Sequence, residues 1–143
     1  MDRVSGLTPR RRAPSRLDPI AATWGGLVAA LGLMAGAERD WPLRLTAAAL
    51  AFGLGGFLAG VRASARRPAH ALAAAIVGYL LHAVYVALTR VVDAFAGPDP
   101  PAFAPDSTSA WALAAGWALI FALIGGLIAN SWLRPAGPQR ITH

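Results

Sequence analysis

SAWALAAGWALIFALIGGLIANSWL, residues 109–133, decides the architecture of this chain: twenty-five consecutive residues carry no charged side chain. A helix rises about 1.5 Å per residue, so some ~20 apolar residues cross a hydrocarbon core roughly 30 Å thick. Working back toward the N-terminus, three further apolar runs of comparable length occur at 69 to about 92, 43–61 and 19–37. Lipid offers backbone amides no hydrogen-bond partner, so such runs must be helices. The expected fold is therefore an all-α bundle of four transmembrane helices, forming one domain over 18–134.

Composition points the same way. Hydrophobic residues make up 56 % of the 143, and charged ones only 14 %, against roughly a quarter in soluble domains. So few polar side chains cannot cover a water-facing globule. Residues 1–17 are basic and rich in breakers, including Pro9 and Pro14; a segment of that kind buries no core and is expected to be a disordered tail. A second short tail spans 135–143. Asp18-Pro19 reads as a helix N-cap with proline in the first turn, Glu38-Arg39-Asp40 as a polar turn, and Arg66-Arg67-Pro68 as a basic turn. The longest connection, Asp93 to Thr108, has four prolines, three acids and no arginine. It is either a stiff spacer or an outward contact surface.

All thirteen basic residues are arginine and the net charge is +6. Arginine without lysine, amid abundant alanine and glycine, points to a high-GC bacterial genome. Five arginines (Arg3, Arg10, Arg11, Arg12, Arg16) lie in the N-terminal tail, three (Arg62, Arg66, Arg67) in the second connection and two (Arg134, Arg140) in the C-terminal tail. Only Arg39, Arg44 and Arg90 fall on the opposite side. The positive-inside rule then puts both termini in the cytoplasm, in a multi-pass protein of the plasma or inner membrane. Trp41 and Trp111 fall at the outer interface of that topology and Trp24 and Trp132 toward the inner one, where indoles prefer to sit. A cleavable signal peptide ending at Ala35-Gly36-Ala37 is the alternative for the first run, although that run exceeds the usual apolar core of such a leader.

Three packing faces stand out. Gly32 and Gly36, Gly56 and Gly60, and Gly125 and Ala129 each place small residues one turn apart, the spacing that lets helix backbones approach in lipid. They serve either the internal bundle or a homo- or hetero-oligomeric interface. Gly55-Gly56 and Gly125-Gly126 also occupy matching places late in the second and fourth runs.

Polar groups concentrate on the third run. Tyr79, His82, Tyr85 and Thr89 recur at helical spacing on one face, and Arg90 and Asp93 follow, three residues apart and able to pair. An ionisable side chain inside a membrane is a functional candidate by default. His82 reads either as a proton relay or polar substrate contact, or as a neutral ring satisfied by a neighbouring helix.

Other chemistries lack their residues. No cysteine is present, which removes disulfides and thiolate ligands. His70 and His143 are not placed to complete a metal or haem site with His82, no acid sits mid-span, and no cofactor is expected. No serine lies deep in a run beside a histidine, and no glycine loop is set to cradle a phosphate. The arginine-rich tail lacks the interleaved aromatics of a nucleic-acid surface, so anionic headgroups are its expected partner.

Gly55-Gly56-Phe57-Leu58-Ala59-Gly60, followed by the arginines of 62–67 and by His70, resembles a pattern in small bacterial four-span membrane proteins of unknown function. In those, a GGxxAG stretch closes the second helix and a basic turn leads into a third helix that starts near a histidine. The similarity covers residues 52–80, with Ala71 where the family has glycine, and it implies architecture without implying catalytic residues. The expected function is that of a small non-enzymatic membrane protein, an accessory or scaffold subunit. The alternative is a small oligomeric transporter or channel using the polar face of the third helix. A lipid-directed enzyme is a third class, for which only Asn130 and Ser131 lie near the inner side.

Overall fold

A computed structural model describes residues 17–36, 40–96 and 108–133. They form four helices: α1 (Pro19–Gly36), α2 (Trp41–Arg62), α3 (Arg67–Ala96) and α4 (Thr108–Trp132). Each contains a segment long and apolar enough to cross a membrane, and the chain is an all-α, four-helix, multi-pass membrane protein. The basic tail, the Ala37 cleavage point with Glu38 and Arg39, the Pro-rich loop over 97–107 and the C-terminal tail lie outside the described residues. So do the side chains of Trp41 and Asp93, on which the outer tryptophan position and the Arg90–Asp93 pair depend.

Two helices start earlier than their apolar runs. α2 begins at Trp41-Pro42 and α3 at Arg67-Pro68. Proline is tolerated in the first helical turn because the amide it lacks would have had no partner there. α3 also continues past Val92 to Ala96, for 30 residues, or about 45 Å. That exceeds the core of a bilayer, so the helix either tilts or projects beyond it.

The helices sit as a quadrilateral. α1 touches α2 and α3, α4 touches α2 and α3, and α2 meets α3 across the short diagonal; α1 and α4 make no contact among the described residues. Small side chains fill the interior: Ala59, Ala71, Ala122 and Ala129 are fully buried, and the largest fully buried side chain is His70. Leu50, Leu80, Val84, Leu88 and Leu113 point outward instead. This inversion suits a lipid solvent, in which large apolar side chains gain nothing by turning inward and close backbone packing holds the bundle.

Glycine pairs make that packing possible. Consecutive helical residues are about 100° apart around the axis, so adjacent glycines face two different neighbours. A Cβ at Gly25 would strike the Gly55 carbonyl of α2 and lie 2.9 Å from Ala74 Cβ of α3, while one at Gly26 would lie 2.7 Å from Val77 Cβ. On α2, Gly55 meets the Gly25 carbonyl and Gly56 meets the backbone of Ala122 on α4. On α4, Gly125 meets the Gly53 carbonyl of α2 and Gly126 lies against Ala71 and Pro68 of α3. Each pair is thus a corner at which three helices converge. Gly78, facing Ala29 and the Gly26 carbonyl, supplies the matching gap on α3.

The small-residue faces named from spacing are all placed inside this one chain. Gly32 and Gly36 face Ala51 and Ala47 of α2, Gly56 faces Ala122, Gly60 faces Ala129, and Gly125 faces Gly53 and Phe57. Gly116 alone among the glycines of α4 has open space where its Cβ would be.

Candidate functional site

Among the described residues, the two buried polar side chains are both histidines of α3, His82 and His70, each 2 % exposed. They lie twelve positions apart, about 18 Å along the helix axis, and so occupy different depths.

His82 sits in an aromatic pocket. Its ring lies 6.4 Å from Tyr85 in near-parallel orientation and 6.3 Å from Trp111 on α4. Tyr79, one turn earlier, packs edge-to-face on Trp111 at 5.6 Å, and its hydroxyl donates to the Trp111 carbonyl at 2.5 Å. Thr89 donates at 3.0 Å to the Val86 carbonyl of its own helix. The face named from sequence is therefore divided. Tyr79 and His82 meet α4, Tyr85 flanks the histidine from a partly lipid-facing position, and Thr89 bonds back to α3. Trp111, read from sequence as an interfacial residue, is half-buried and forms the wall that joins them.

The Tyr79 hydroxyl is a lock between α3 and α4 whose contribution can be measured. Tyr79→Phe keeps the ring contact and removes the hydrogen bond, and we expect a loss of about 0.5–1.5 kcal/mol. The small size follows because the Trp111 carbonyl keeps its place in the α4 ladder. Thermal unfolding in detergent checks it.

His70 has a different role, and one that spacing rules did not reveal. Its Nε2 accepts a hydrogen bond from the backbone N–H of Asp18 at 2.8 Å, although the two residues are 52 positions apart. Its Nδ1 lies 3.1 Å from the Arg66 carbonyl. A neutral imidazole has one donor and one acceptor nitrogen, so this pair of partners specifies the neutral ring with the proton on Nδ1. Asp18 caps its helix as well: its Oδ1 accepts from the amides of Ile20 at 2.9 Å and Ala21 at 3.4 Å, and its carbonyl accepts from Ala22. That is N-capping, which satisfies amides left free at a helix start. His70 thus fastens the beginning of α1 to the beginning of α3.

Arg66 makes the geometry possible. Its φ is 51°, the left-handed region, which non-glycine residues enter at some cost. The turned carbonyl accepts from the amides of Ala69 and His70, and faces the His70 ring. Close by, the Arg62 guanidinium lies 5.5 Å from the centre of the Trp24 ring, a cation–π contact between α2 and α1. Comparison with protein-family models, with curated proteins and with solved structures found no match to this chain. Its functional reading therefore rests on the residues themselves.

Among the described residues, no three His, Asp or Glu side chains gather where they could hold a metal ion. What the arrangement offers is mechanical: two histidines, at different depths, each used to hold α3 against a different neighbour.

Proposed function

We propose that this chain is an accessory or scaffold subunit of a membrane complex, a rigid four-helix element that other membrane proteins pack against. The observation that carries the reading is the use of glycine. The backbone approaches of α1, α2 and α4 are spent within the chain, at Gly25, Gly26, Gly55, Gly56, Gly125 and Gly126. A compact interior of alanines leaves the outward Leu, Ile and Val side chains as the surface a partner would meet. The Tyr79 and Thr89 hydroxyls are committed to helix carbonyls, which supports a holding role over a transport one.

The second reading, a small oligomeric transporter or channel, is favoured by one observation. His82 is buried within the span, and ionisable side chains at such depth mark ion and substrate paths in many membrane proteins. A single pair of measurements separates the two. Cross-linking in the native membrane, followed by capture in mild detergent, is expected to return a stable heterologous partner, and His82→Ala is expected to leave that partner bound. A homo-oligomer whose reconstituted vesicles show pH-dependent flux, lost in His82→Ala, overturns the scaffold reading in favour of transport.

A further inference from the structure

We draw no further inference here: the strongest candidate, the outward face of α4 where Gly116 leaves open space beside the exposed Leu113 and Trp117, carries none because nothing in the structure shows what covers it.

Discussion

Gly56→Val and Gly125→Val are expected to destabilise the bundle more than any other single change at a glycine, by roughly 1–3 kcal/mol or more. A Cβ at Gly56 would lie 2.7 Å from the Ala122 Cα and 2.8 Å from its carbonyl carbon; one at Gly125 would lie 2.8 Å from the Phe57 amide nitrogen and 3.0 Å from the Gly53 carbonyl carbon. These obstacles are backbone, so relief requires moving a whole helix. Contrast Gly32 and Gly36, where the nearest atoms are Ala51 and Ala47 side chains, and a small shift of one helix end gives room. Gly116→Val supplies the control, because its Cβ would meet nothing within 4 Å. Thermal unfolding in detergent should rank Gly116→Val near wild type and Gly56→Val and Gly125→Val far below it. Equal midpoints for all three would remove the close α2–α4 approach from the account.

Losing the His70 acceptor is the second large effect expected. The Asp18 amide at the start of α1 donates to Nε2, and an apolar replacement such as His70→Leu leaves a part-buried donor unsatisfied, at a cost of about 1–3 kcal/mol. Hydrogen exchange at the amides of 18–22 is the readout: it should be faster in His70→Leu than in the wild type, and equal rates would remove the contact from the account.

The four spans were legible because uncharged runs of that length have one physical solution. Their ends were less so, since Arg67-Pro68 reads as a turn by charge and proline content, yet sits in the first turn of α3 where proline is harmless. Spacing rules also pick out Gly56 with Gly60, because they look for small residues along one face. Gly25-Gly26 and Gly125-Gly126 work differently, as neighbours serving two faces, and a one-face rule undervalues them.

His82 is legible through its residue type inside an apolar run, whereas the position of Trp111, its wall, signals only an interfacial anchor. His70 escaped as a structural element because its partner is the backbone amide of Asp18, and a backbone donor leaves no letter in the sequence. One signal was there to be combined: a capping aspartate at the start of the first run and a histidine at the start of the third lie at one depth in adjacent, parallel helices.

The missing contact between α1 and α4 bears on how the molecule is made. Among the described residues α1, α2 and α3 contact one another at the Gly25 groove and at His70 without α4, which packs only on α2 and α3. A chain that lacks α4 is therefore expected to keep the His70 fastening of α3 to α1, with the surfaces of Gly56 and Tyr79 that meet α4 left open.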